Sequence, residues 1–244
     1  MSSLSAQSPA VLNAFGAKMF TTSTSFNLPY RIWEPTLKEG EKLPLLLFLH
    51  GAGERGNDNI AQMTHGAAML LQKSADFPAW IVMPQCAQDD YWAQMEKDSL
   101  NNRVFNFNQR PNPSLAAVME LLDSLLATGL VDTNRVYLMG LSMGGMGTFE
   151  LLARRPDTFA AAAPICGGTN PALLPLYAHK VPLWIFHGAE DQVVFPSYSR
   201  AVVQQMQALG VPVKYTEYLG VNHNSWDNAF AEPELMEWMF SHSK

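Results

Sequence analysis

Four short stretches of the chain carry side chains able to do acyl chemistry. "GLSMGG" at 140–145 sets Ser142 among glycines, behind the apolar run "RVYLM" and ahead of "MGTFELLARRP". "HGAGERG" at 50–56 follows "LPLLLFL", "GAEDQVV" at 188–194 follows "PLWIFH", and "LGVNHNSW" at 219–226 follows "VKYTEY". A serine between glycines at a strand-to-helix turn has two uses. It can cap the helix behind it, or it can be thrust out of the fold as a nucleophile. A serine hydroxyl is a weak nucleophile until a base takes its proton. His223, which follows the last strand-like run, would be that base, and Glu190 or Asp191 would fix its tautomer and stabilise the imidazolium. Acyl transfer also needs donors for the developing oxyanion. The turn offers the N–H of Met143 at the helix start, and "HGAG" offers that of Ala52, with Gly53 as the fallback.

Gly140 to Gly144 fit the G-x-S-x-G elbow, and the chain order serine, acid, histidine is the one that goes with it. The glycines answer a strained nucleophile backbone and neighbours too close to admit Cβ atoms. The other five of the six histidines are weaker candidates. His50 reads as structural, its ring pinning the glycine turn. His187 reads as core or as support for the site, and His65, His179 and His242 as solvated or locally satisfied. Asp227 falls after the histidine, out of order. Arg55 is expected to pair with Glu54 or another nearby acid. "HGAGERG" matches neither G-x-x-x-x-G-K-[ST] nor G-x-G-x-x-G, so a phosphate or dinucleotide loop is excluded. Tyr91 and Trp92 in "DDYWAQ", and Trp226 beside the histidine, read equally as pocket wall or as packing.

The elements that must position these groups alternate along the chain. Strand-like runs lie at Pro29–Trp33, Pro44–His50, Ala79–Gln85, Arg135–Gly140, Phe159–Cys166, Pro182–Gly188 and Val213–Tyr218. The central ones are apolar at consecutive positions, as in strands buried on both faces of a parallel sheet. Helical patterns fall at "SLAAVMELLDSLLATG", "MGTFELLARRP", "SRAVVQQMQALG" and "EPELMEWMF", punctuated by Gly129, Pro156 and Gly210. The alternation implies a doubly wound α/β fold, with active loops at the carboxyl ends of the strands. The stretch from about Ala87 to Pro113 reads as a long surface excursion.

Composition narrows the partners. The 244 residues carry a net charge of −6 with no Lys/Arg-rich block, which argues against nucleic acid and anionic membranes. "LPLLLFL" is too short to cross a bilayer. The N-terminus lacks the basic and apolar regions of a signal peptide, so a cytoplasmic location is expected. Cys86 and Cys166 are too few for a disulfide framework and fit no zinc spacing, so free buried thiols are expected.

The runs "LFLHGAGERGNDN", "GLSMGG", "FAAAAPICGG", "FHGAEDQVV" and "YTEYLGVNHNSW" together resemble the α/β-hydrolase superfamily. They are most similar to its phospholipase/carboxylesterase-like branch, which includes predicted peptidases and polyhydroxybutyrate-depolymerase-like esterases. The resemblance runs from about Leu28 to Phe240. It implies an α/β-hydrolase fold, a mostly parallel central sheet with helices on both faces. It implies one domain over 1–244, with 1–20 as a loosely ordered extension. It assigns Ser142 as nucleophile, Asp191 rather than Glu190 as acid, His223 as base, and Ala52 and Met143 as oxyanion donors. It implies a small-molecule or saccharide ester substrate, beside which Trp92 and Trp226 are the pocket candidates that the sequence offers. No metal or cofactor is expected, since a triad makes its own nucleophile and no ligand-spaced His/Cys/Asp set is visible. Relatives often have "GHDSW" where this chain has "NHNSW", so Asn222 and Asn224 flank the base in place of a glycine and an acid. The strand order of such hydrolases sets the strands leading to Cys86 and Cys166 three spacings apart, too far for a disulfide. Two other functions fit the same motifs: a serine peptidase, and a silent hydrolase fold used for binding.

Overall fold

The computed structural model describes residues 8–100, 102–107 and 110–244. Its strands are β1 (Gly16–Thr21), β2 (Asn27–Trp33), β3 (Leu43–Leu49), β4 (Trp80–Pro84), β5 (Met95–Lys97), β6 (Arg103–Phe105), β7 (Val131–Leu141), β8 (Ala161–Ile165), β9 (Trp184–Gly188) and β10 (Lys214–Tyr218). Its helices are α1 (Pro9–Ala14), α2 (Ala67–Lys73), α3 (Pro113–Leu126), α4 (Met143–Arg154), α5 (Ser197–Ala208), α6 (Trp226–Ala231) and α7 (Leu235–Phe240). Eight strands form one sheet in the order β1-β2-β4-β3-β7-β8-β9-β10. β2 alone runs against the rest: it pairs antiparallel with both β1 and β4, and the pairs from β4 to β10 are parallel. This is the expected mostly parallel α/β-hydrolase sheet.

The period-2 geometry of a strand sorts the consecutive apolar residues onto two faces. Along β3, Leu45, Leu47 and Leu49 join one core with Val118 and Leu122 of α3, Phe149 and Leu152 of α4, and Val202 and Met206 of α5. Leu46 and Phe48 join the opposite core with Val11 of α1, Leu70 of α2, Ala229 of α6 and Met236 of α7. Helices therefore cover both faces. Gly129 and Gly210, just beyond α3 and α5, have φ of 76° and 70°, the left-handed geometry that ends a helix.

The expected loose extension over 1–20 is corrected where it is described. α1 and most of β1 fall within it, Val11 and Phe15 are buried, and β1 pairs with β2 from Gly16 to Thr21. Residues 1–7 lie outside the described residues. The excursion after Cys86 contains the small antiparallel pair of β5 and β6. Tyr198 Oη of α5 accepts from the Arg103 N–H at 2.7 Å, and Arg103 Nη1 donates to Val193 O at 2.7 Å, so this strand pair leans on α5 and on the loop after β9. Cys86 and Cys166 are buried free thiols, and β4 and β8 stand three strands apart. Among the described residues no helix is long and apolar enough to cross a membrane.

Candidate active site

β7 ends at Leu141 and α4 begins at Met143, so Ser142 makes the whole turn between them. Its φ of 53° is one that L-residues rarely adopt. The neighbours hold it there: its N–H donates to Ile165 O at 2.8 Å, and its carbonyl accepts from Met146 N at 3.0 Å. A Cβ at Gly140 would lie 2.3 Å from Gly144 O, and one at Gly144 would lie 1.9 Å from Leu49 O. Both glycines are thus demanded by α4 pressing on β3 and β7. The Ser142 side chain makes no capping bond to α4, so the capping use of this serine is not realised.

Ser142 Oγ lies 2.9 Å from His223 Nε2, and His223 Nδ1 lies 2.7 Å from Asp191 Oδ2. An ionised carboxylate only accepts, so Nδ1 carries the ring proton and Nε2 is left to accept from the serine. Asp191 is 2% exposed, whereas the neighbouring Glu190 faces solvent. Asp191 Oδ1 accepts from Val193 N at 2.8 Å and Val194 N at 2.9 Å. Burial alone would raise the Asp191 pKa. Hydrogen bonds from His187, His223 and Val194 outweigh it and hold the carboxyl well below the usual carboxylate range. His187 is fully buried, its Nδ1 2.7 Å from Ser199 Oγ and its Nε2 2.8 Å from Val194 O. It supports the acid, one of the two roles its position suggested. Asn222 Oδ1 accepts from the N–H of His223 at 2.8 Å and of Gln192 at 3.2 Å, tying the histidine loop to the acid loop. Asn224 Nδ2 donates to Asp227 instead, at 3.2 Å.

Ala52 opens a single 3₁₀ turn over Ala52–Glu54, as Met143 opens α4. The first N–H groups of such turns have no partner within the turn. His50 holds this segment through Nδ1–H, which donates to Gly51 O at 2.6 Å, and Nε2, which accepts from Cys86 N at 2.9 Å. Desolvation, more than the nearby Arg55 charge, pushes the His50 pKa down to about 4. Arg55 holds the turn too, but through carbonyls rather than the expected acid: Nε donates to Ala52 O at 3.0 Å and Nη1 to Asp90 O at 3.2 Å.

These groups share a cleft of about 270 Å³ that Ser142, His223, Ala52, Glu54, His65 and Trp226 help to line. Trp226 stands edge-on to His223 at 5.4 Å between ring centroids and tilts against His65 at 5.1 Å. Trp92, expected near substrate, does not reach the cleft. It is fully buried, donates Nε1–H to His50 O at 3.1 Å and packs edge-on against the His50 ring. Glu54 and His65 at the cleft wall were not foreseen, since nothing local in the sequence distinguishes them from turn and surface residues. Burial raises the Glu54 pKa, opposed chiefly by His65.

A larger cavity of about 630 Å³ lies near the start of β9 and β10, at the other end of the strands, with no serine or cysteine in its lining. Its Lys214 pairs with Glu234 and its Lys180 with Asp157. Among the described residues one group has metal-ligand spacing: atoms of Cys166, Asp191 and His223 lie within 4.8 Å of one another. Burial and the Asp191 charge raise the Cys166 thiol pKa, and a proton already joins His223 to Asp191, so the set is poorly suited to an ion.

In structure the chain is similar to a thermostable esterase, with a TM-score of 0.87 and 34% identity, covering 96% of this chain and 64% of that one. In sequence it is 25% identical over 205 residues to a probable carboxylesterase of Oryza sativa subsp. japonica, covering 75% of this chain and 82% of that protein. It is 28% identical over 214 residues to an uncharacterized secreted protein of Arthroderma benhamiae, covering 75% of this chain but only 21% of that protein. Residues 34–234 match the phospholipase/carboxylesterase family of α/β hydrolases, and the chain belongs to that family.

Proposed function

We propose that the protein hydrolyses carboxylic esters through an acyl-enzyme on Ser142. The observation that carries this reading is the unbroken relay from Ser142 Oγ through His223 to Asp191, at 2.9 and 2.7 Å. His223 Nε2 takes the hydroxyl proton as Oγ bonds to the ester carbonyl carbon. The carbonyl electrons move onto oxygen, and the N–H groups of Ala52 and Met143 receive that charge. Collapse breaks the bond to the alkoxy oxygen, which leaves with the proton from Nε2. Water then attacks the acyl-enzyme with His223 again as base, and the acid departs. Asp191 stays ionised throughout and stabilises the imidazolium.

The reaction needs no metal, cofactor or nucleic acid, and the cleft suits a small ester, whether of a short acyl chain, an aryl alcohol or a sugar. The complete relay favours an enzyme over a silent binding fold. Two buried free thiols suit a reducing cytoplasm, where disulfides are rare. Turnover of 4-nitrophenyl acetate against a 4-nitroanilide peptide tests the reading. Faster hydrolysis of the ester is expected, and release from the peptide alone would turn the assignment to a peptidase.

A further inference from the structure

We propose that Glu54 and His65 form a clamp for a hydroxyl group on the substrate, so that the enzyme prefers hydroxylated esters. The inference rests on the ester-hydrolase reading and specifies which ester.

Glu54 and His65 line the same cleft as Ser142 and His223. Glu54 Oε1 stands 3.7 Å from His65 Nε2, too far for a hydrogen bond. An oxygen placed beside both atoms reaches each at about 2.8 Å, accepting from His65 and donating to Glu54. A hydroxyl does both, and an ether or a methylene cannot. The other carboxyl oxygen, Oε2, is buried without a hydrogen-bond partner and 3.9 Å from His50 Nδ1, whose proton goes to Gly51 O. Burying the carboxyl costs free energy that His65 and the nearby Gly51 and Glu54 backbone N–H groups offset only in part. Oε1, the oxygen beside His65, is the one a bound hydroxyl would satisfy. The Glu54 side chain is 13% exposed and that of His65 is 32% exposed, so the pair opens towards the cleft rather than closing on itself. Trp226, tilted on His65 and edge-on to His223, sets an aromatic surface between clamp and base, suited to the C–H face of a polyol or hydroxyacyl chain.

The hydroxyl can belong to the acyl or to the alcohol portion, and two substrate pairs separate these. For the acyl portion, 4-nitrophenyl 3-hydroxybutyrate is compared with 4-nitrophenyl butyrate. For the alcohol portion, glycerol monobutyrate is compared with propyl butyrate by acid release. Each ratio is corrected for the alkaline hydrolysis of the same pair. In at least one pair kcat/KM should favour the hydroxylated ester by about tenfold or more, as for a hydrogen bond to a charged or buried group. Glu54→Met removes the acceptor, and His65→Phe removes the donor while keeping a ring against Trp226. Either should bring that ratio near one, and the second serves if the first does not fold. Equal treatment of both pairs by the wild type overturns the clamp and leaves ester hydrolysis standing. A preference that persists in a folded variant overturns it as well. No hydrolysis of any of the four esters overturns the functional reading itself, and the clamp with it.

Discussion

His187 Nε2 stands 3.3 Å from Asp191 Oδ2, the same oxygen that His223 Nδ1 reaches at 2.7 Å. The Val194 carbonyl, 2.8 Å away, accepts the His187 Nε2 proton. One carboxylate oxygen thus faces two imidazole N–H groups, while the other takes two backbone N–H groups. Asp191 has little freedom to turn, since His223 Nδ1 and the Val193 and Val194 N–H groups all donate to it and the His187 ring closes the remaining side.

That arrangement makes Asp191→Asn a severe change. The amide oxygen must take the place of Oδ1 against the Val193 and Val194 N–H groups, which leaves the NH₂ aimed at two imidazoles. His223 Nδ1 then has to accept, its proton moves to Nε2, and the nucleophile loses its base. We predict a fall in kcat of about ten-thousandfold, as such tautomer reversal produces elsewhere. Steady-state kinetics on a 4-nitrophenyl ester, with circular dichroism as a check on folding, measures it. A fall of less than about tenfold would show that Asp191 does not set the tautomer.

His50 should make the fold sensitive to acid. Its folded pKa, about 4, lies below the ordinary value of 6.5 that the unfolded chain has. Between these values the unfolded state binds the extra proton. The His50 contribution is therefore fully present above pH 6.5 and is lost as pH falls towards 4, by about 3 kcal/mol in all. Urea midpoints of the wild type should drop across this window, and those of His50→Gln should drop less steeply. Parallel slopes would mean that His50 does not take up the proton.

The glycines of the elbow should differ sharply from one in the facing turn. Gly144→Ala drives a Cβ to 1.9 Å from Leu49 O and 2.8 Å from His50 O, both backbone atoms that cannot step aside. A loss of roughly 3 kcal/mol or more is expected, enough to prevent soluble expression of a marginally stable domain. Gly53→Ala meets nothing within 4 Å and should shift stability by no more than about 0.5 kcal/mol. Thermal unfolding of the two variants decides the point, and a stable Gly144→Ala protein would contradict the packing described for α4.

These glycines also mark what was legible beforehand. The apolar runs of β3, β7, β8 and β9 announce themselves because both faces of the central strands are buried. The loops behind them carry Ser142, Asp191 and His223 because a parallel sheet gathers its carboxyl ends in one place. β1 escaped notice because an edge strand with one paired side needs little apolar material: "GAKMFT" is almost wholly exposed. Trp92 was ambiguous because an aromatic ring after a strand packs inwards or lines a pocket with the same sequence. Glu54 and His65 were invisible as a pair, since only the folded turn brings a carboxyl and an imidazole from separate segments to one wall. Ser142, Asp191 and His223 are brought together by strand order, whereas Glu54 and His65 are brought together by loops.

Covalent labelling tests the central claim most directly. The protein is treated with a fluorophosphonate, then digested and mapped by mass spectrometry. The account predicts one adduct per chain, on Ser142, appearing in step with the loss of esterase activity and absent from a folded Ser142→Ala variant. Activity that survives full labelling of Ser142, or is lost through an adduct on another residue, would contradict it.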